Sequence, residues 1–322
     1  MDEVTLGTLL ASTLRVSAPL ILCALAGCLS ERSGVIDLGL EGKMLFTAFA
    51  AAAVGVASGS MALALAVALL IGVALSMLHG YACVSHRGDQ VVLGMAITMT
   101  AAGLTVVLGI AWFKQGGQTP PLPDAVRLAP LFPALAEAAK GIPVVGTVIG
   151  LGLLSHDAFV YGSLLAVLAV WWLLYRTRFG LRLRAAGENP AMIDAAGVSV
   201  KGMRYAALAI NGVLSALAGS YLVLALTPSF IPNMTAGRGY MALAAMIFGK
   251  WHPLGALAAC LLFGFLEAAA IRLQGVALPG IGTVPVQAIQ ALPYLMTVVL
   301  LAGFIGQARA PKALGTPYVK ER

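Results

Sequence analysis

Two short stretches of this chain hold most of the residues whose types and spacing could do something specific. The first is Gly187-Glu188-Asn189-Pro190-Ala191-Met192-Ile193-Asp194-Ala195-Ala196-Gly197. Asn is suited to cap a helix start, Pro to the first helical position, and Gly to the turn just past a helix end. The spacing therefore predicts a two-turn helix over 190–196 with both ends specified. Seven residues cannot hold a helix alone in water, so this one needs a surface to pack on. Met192, Ile193 and Ala196 offer it an apolar stripe, and the surface is either the rest of this chain or a second protein. The other stretch is Ser30-Glu31-Arg32-Ser33-Gly34-Val35-Ile36-Asp37-Leu38-Gly39-Leu40-Glu41-Gly42-Lys43, with five charges between two strongly apolar segments. Charges inside a bilayer cost several kcal/mol unless they are paired or meet water. The run from Val35 into 44–57 carries no turn, which predicts a half-helix entering the membrane with Asp37 and Glu41 on one face. An interfacial turn with solvated charges is the other reading.

Catalytic chemistry finds no foothold. His79, His86, His156 and His252 are scattered, and HExxH, CxxC, GxSxG and GxxxxGK[ST] patterns are all missing from the sequence. The chain is expected not to be an enzyme, to bind no cofactor and no metal, and to take any ATP hydrolysis from another chain. Cys23, Cys28, Cys83 and Cys260 sit in apolar stretches at no ligand or redox spacing and read as small buried hydrophobes. Gln90, Asn211, Asn233, Arg238, Glu267, Arg272, Gln287 and Gln290 are polar residues in apolar surroundings. Singly, each reads as a helix–helix hydrogen bond or a snorkelling charge, with Glu267 and Arg272 a candidate interfacial pair.

The elements that must position these residues follow from composition. Of 322 residues, 60% are apolar and only 10% charged, and mean hydropathy is +0.94, whereas soluble domains carry about 25% charged residues. Apolar segments fall at about 6–29, 35–57, 61–85, 90–113, 142–175 (interrupted at Ser155-His156-Asp157), 205–226, 239–272 (interrupted at Lys250-Trp251-His252-Pro253) and 283–306. About 20 apolar residues span a bilayer, and the alternation of a membrane barrel is missing. The fold class is all-α polytopic membrane protein, with about 8–10 transmembrane segments, some discontinuous. The acidic start Met1-Asp2-Glu3 predicts no removable leader.

The formal charge of +7 reads as topology rather than as nucleic-acid binding. Loop 176–204 holds Arg176, Arg178, Arg182, Arg184, Lys201 and Arg204, and the tail holds Arg309, Lys312, Lys320 and Arg322. By the positive-inside bias both face the cytoplasm, so the domain organisation is one transmembrane domain over 1–308 and a basic cytoplasmic tail over 309–322. An even number of crossings must then separate loop and tail, and one of the last three blocks must be broken. The candidate is 239–272, where Gly239 to Gly249 is too short to cross and Pro253 suits a fresh helix start. Discontinuous helices are tolerated where they line a cavity.

The 30–42 stretch resembles the signature of ABC-importer permeases of the nucleoside type, a family that also serves sugars and branched-chain amino acids. The similarity continues through Arg176-Thr177-Arg178-Phe179-Gly180-Leu181-Arg182-Leu183-Arg184-Ala185-Ala186-Gly187-Glu188-Asn189-Pro190, on to Gly197, and again through Gly237-Arg238-Gly239-Tyr240 to Ala256. Two positions depart: Asp37 stands where the nucleoside branch more often has Asn, and Lys43 adds a charge after Glu41-Gly42. The resemblance implies that 190–196 is a coupling helix docking on an ABC ATP-binding subunit, through Gly187, Glu188, Asn189, Pro190, Met192, Ile193, Asp194 and Gly197. It also implies a second homologous permease subunit, an extracytoplasmic substrate-binding lipoprotein, a small polar solute as cargo, ATP and Mg used by the partner ATPase, and a bacterial inner membrane. Discontinuous-helix logic places the translocation pathway around Asp37, Glu41, Gly42, Asn211, Asn233 and Arg238. An ion-coupled secondary transporter, suggested by the interrupted helices and Glu267, is the alternative.

Overall fold

With no water to satisfy backbone groups in hydrocarbon, the apolar blocks fold as helices. The computed structural model describes residues 3–140, 145–273 and 309–320, together with 277–278, 282–283, 291 and 295. In chain order the helices are α1 (Glu3–Arg32), α2 (Leu40–Ser58), α3 (Met61–Gly80, prolonged by a wide turn Tyr81–Ser85), α4 (Gln90–Phe113), α5 (Pro133–Lys140), α6 (Val145–Gly152), α7 (Ala158–Arg176), α8 (Arg178–Glu188), α9 (Pro190–Ala195), α10 (Val200–Tyr221, prolonged by Leu222–Leu226), α11 (Arg238–Phe248) and α12 (Pro253–Leu273). Among the described residues α1, α2, α3, α4, α7, α10 and α12 are long and apolar enough to cross a membrane, and α11 is a shorter apolar helix. A two-residue antiparallel pairing, Ala277–Leu278 with Gly282–Thr283, follows α12. The expected segment 283–306, with Gln287 and Gln290, lies almost wholly outside the described residues.

The inner layer is α1, α2 and α10, and Leu25, Leu29, Met44, Leu214 and Met246 fill the centre. Small residues allow the close approach: a β-carbon on Gly72 of α3 would strike the backbone oxygen of Gly212 on α10, the small-residue contact by which membrane helices pack. The outward faces of α3, α4 and α7 expose Leu70, Met99, Val107, Leu165 and Trp172, as a lipid-facing surface must. All four cysteines are buried and unpaired.

The loop carrying α8 and α9 and the tail 309–320 meet at one end of the bundle, called here the basic end. The Ala313 amide donates to the Gly187 carbonyl (2.8 Å) and the Gly315 amide to the Gly34 carbonyl (3.1 Å). The predicted break in 239–272 is real: α11 stops at Phe248, Lys250 and Trp251 take left-handed backbone angles, and α12 begins at Pro253. Arg32 donates to the carbonyls of Trp251 and Lys250, so this turn also lies at the basic end. Eleven residues rise about 16 Å, about half of a hydrocarbon core of roughly 30 Å, so α11 is too short to cross.

Three expectations need correction. Asp37 is not helical: α1 ends at Arg32, Gly34 takes φ +91°, and α2 starts only at Leu40, because the Asp37 carboxylate turns back to accept the Gly39 amide (3.1 Å). Asp37 and Glu41 consequently do not share a helical face. Glu267 and Arg272 do not pair: Glu267 meets Arg238, and Arg272 donates to Thr5 and Thr8. Loop 176–204 holds a second helix, α8, whose start is capped by the Thr177 hydroxyl accepting from the Gly180 amide (3.1 Å).

Candidate functional site

Helix α9 sits where the spacing put it. The Asn189 side chain accepts the Met192 amide (3.1 Å), Pro190 opens the helix, and past its end Gly197 turns left-handed at φ +78°. Its apolar stripe is divided. Ile193 is buried against Ala186 of α8 and Val200 of α10, whereas Met192 is 61% exposed and Ala196 is exposed. One side chain thus moors the helix to its own chain while the rest of the stripe stays open. Asp194 pairs with Lys320 (3.5 Å), and the Glu188 carboxylate accepts the Lys312 amide (3.4 Å). Gly187 packs so tightly that a β-carbon there would collide with the Arg32 carbonyl. Buried Arg204, near the start of α10, donates to the carbonyls of Ser33 and Thr316 (both 3.2 Å). Helices α8 and α9, the tail and the α1–α2 break are therefore bound at a single knot.

The six pathway candidates fall into three places. Asp37 and Asn211 are fully buried in a polar cluster enclosed by α1, α2, α3 and α10. Lys43 Nζ donates to Asp37 Oδ2 (2.5 Å) and to Asn211 Oδ1 (3.0 Å). The Ser76 hydroxyl donates to the same Asn211 oxygen (3.0 Å), and Asn211 Nδ2 donates to the Ala26 carbonyl (3.0 Å). Gly42 is a packing point, where a β-carbon would strike the backbone of Thr98 on α4. Glu41 reaches across to α11: its two carboxylate oxygens accept the amides of Gly237 (2.8 Å) and Gly239 (2.6 Å). A carboxylate is favoured there because the first amides of a helix lack intrahelical partners and carry the positive end of its dipole.

Asn233 and Arg238 line a cavity of about 360 Å³ together with Thr227, Pro232, Met234 and others. Arg238 Nη2 donates to Glu267 Oε1 (2.8 Å). Sequence reasoning did not single out Ser76 or Arg204 as site residues: each is a polar residue at the scale of one helix turn, and its role depends on partners over a hundred positions away.

A family model described as branched-chain amino acid transport system / permease component matches residues 9–304. The guanosine ABC transporter permease protein NupQ of Bacillus subtilis (strain 168) is 38% identical, over 98% of this chain and 97% of its own. The nucleoside ABC transporter permease protein NupC of Lactococcus lactis subsp. cremoris (strain MG1363) is 36% identical, over 99% and 98%. An ABC transporter solved in an inward-facing conformation matches with a TM-score of 0.50 at 15% identity, over 91% of this chain and 84% of its own.

Proposed function

The chain belongs to the family of permease components of branched-chain amino acid transport systems, and from that premise we propose that it carries nucleosides through the membrane domain of an ATP-driven importer. It is a multi-pass membrane permease of the ABC type, not an enzyme, so ATP hydrolysis belongs to a separate subunit. The nucleoside cargo is supported by the two relatives that match over nearly their whole lengths.

In this proposal α9, with Gly187, Glu188, Asn189, Pro190, Met192, Ile193, Asp194 and Gly197, docks on the ATP-binding subunit at the cytoplasmic face of a bacterial inner membrane. A second, homologous permease completes the pathway, and an extracytoplasmic lipoprotein delivers the solute. Asn233 and Arg238 line the pathway, Glu41 holds the start of α11 beside it, and Asp37, Gly42 and Asn211 form the packed wall behind. The observation that carries the reading is α9 itself: a two-turn helix capped at both ends, moored by Ile193, with Met192 left in the open.

The test uses the burial of the four native cysteines. A Met192→Cys variant, co-expressed with its ATP-binding subunit, should crosslink to that subunit, while Ser58→Cys at the opposite end should not. Uptake of labelled guanosine should then require ATP. Crosslinking that fails at Met192, or uptake by the purified chain alone under a proton or sodium gradient, would sink the reading.

A further inference from the structure

With the basic end placed at the membrane surface, as in the proposed function, the length of α11 puts its first residue, Arg238, about halfway across the membrane. Glu267 lies on α12, whose first residue, Pro253, also starts at the basic end, and the two side chains meet at 2.8 Å, each 23% exposed. A charge at that depth must be paired or face water rather than lipid. The pair neutralises itself, and its Arg238 member lines the cavity together with Thr227 and Asn233. Arg238 Nη1 donates to the Met234 carbonyl (3.3 Å), and a guanidinium has five N–H donors. Donors therefore remain for whatever occupies the cavity. Behind it, Glu267 Oε2 is buried without a hydrogen-bond partner.

The backbone supplies an independent observation. Asn233 (φ +57°), Ala236 (φ +47°) and Gly237 (φ +83°) are left-handed within five residues; Asn and Gly accept that conformation, and the β-carbon of Ala236 disfavours it. Such geometry persists where the surroundings over-determine it, and it clusters at ligand clamps. Here the Glu41 carboxylate fixes the amides on either side of Arg238, so the guanidinium is held at a set height over the cavity.

We propose that Arg238 is a solute-contacting residue that determines specificity, with Glu267 as the residue that positions it. The pair takes an uncharged solute rich in hydrogen-bond acceptors: its own charge is cancelled, so what it offers is a fan of donors rather than a field for anions. This rests on the nucleoside reading, in which the sugar hydroxyls and base carbonyl are those acceptors.

The complete transporter with its binding protein, in proteoliposomes, is assayed for uptake of guanosine against 2′,3′-dideoxyguanosine. The binding protein is the same in every sample, so a changed ratio between the two solutes belongs to the permease, and the ratio is independent of how much complex assembles. Arg238→Lys should lower the preference for guanosine about tenfold, the size expected for one lost hydrogen bond to a charged donor. Glu267→Gln should move the ratio the same way, and Glu267→Asp should restore part of it. Normal uptake by the unaltered protein with ratios unchanged in all three variants would make the pair a strut and overturn this inference alone. No nucleoside uptake by the unaltered protein would overturn the nucleoside reading, and the inference with it.

Discussion

Lys43 and Asp37 show how a single buried charge constrains the residues around it. Both side chains have no exposure and they meet at 2.5 Å, with Asn211 Oδ1 taking a second Lys43 proton. Removing one member of a buried pair leaves an uncompensated charge, whereas replacing both with neutral groups is often tolerated. Lys43→Met should therefore destabilise the protein by about 3–5 kcal/mol, and Asp37→Asn with Lys43→Met should recover most of it; unfolding midpoints in detergent check both. The two positions departing from the resembled signature are thus each other's partners. Their charges were legible in the sequence, but their pairing was not, since Asp37 leaves the helical face that Val35 onward suggested.

His156 supplies a pH-dependent case at the end of the bundle opposite α9. It is 1% exposed, and burial holds its ring below the ordinary imidazole range, opposed in part by its bond to the Gly152 carbonyl. The unfolded chain therefore binds the proton first, and stability falls as pH drops below about 6.5. His156→Gln, which can still donate to Gly152, should flatten the loss between pH 7 and 5 in the same unfolding measurement.

At the scale of elements, α9 was legible and α8 was not, although the signal existed. Asn189, Pro190 and Gly197 name both ends of α9 in one-residue steps, the strongest kind of local punctuation. In α8, Phe179, Leu183 and Ala186 keep helical spacing, but the arginines among them read as a loop under the positive-inside rule. What no local pattern could show is that the tail straps both helices to the α1–α2 break, through Ala313 to Gly187 of α8, Lys320 to Asp194 of α9 and Gly315 to Gly34. A chain ending at Pro311 loses those bonds and the Thr316 carbonyl that accepts from buried Arg204. Local opening is governed by such contacts, so trypsin should cut at Arg178 to Lys201 faster in the truncated protein. The transmembrane core should remain protected.

Across the whole molecule, α9 lies at the basic end and the start of α11 lies eleven residues, roughly 16 Å, from the turn at that end, so any motion of one reaches the other through packed contacts. One continuous route runs from α9 to Gly187 and Arg204, then through Ser33 and Gly34 into the break before α2, and from Glu41 on α2 to the amides that start α11. The break at Lys250-Trp251-His252-Pro253 announced α11 in the sequence. The Glu41 link did not appear there, because the carboxylate and the two amides that donate to it are 196 and 198 positions apart. If this route carries motion, its last joint can be cut without touching α9. Glu41→Ala removes both hydrogen bonds and the charge at the helix start, while Glu41→Gln keeps one acceptor oxygen. Charged-acceptor bonds contribute about 1.5–3 kcal/mol each, enough to shift how α11 is held by an order of magnitude or more. Glu41→Ala should therefore let the assembled transporter hydrolyse ATP while solute moved per ATP falls at least about tenfold, with Glu41→Gln between it and the unaltered protein. Equal ratios in all three would show that α11 takes its position from packing against α1 and α12, and that Glu41 only caps it.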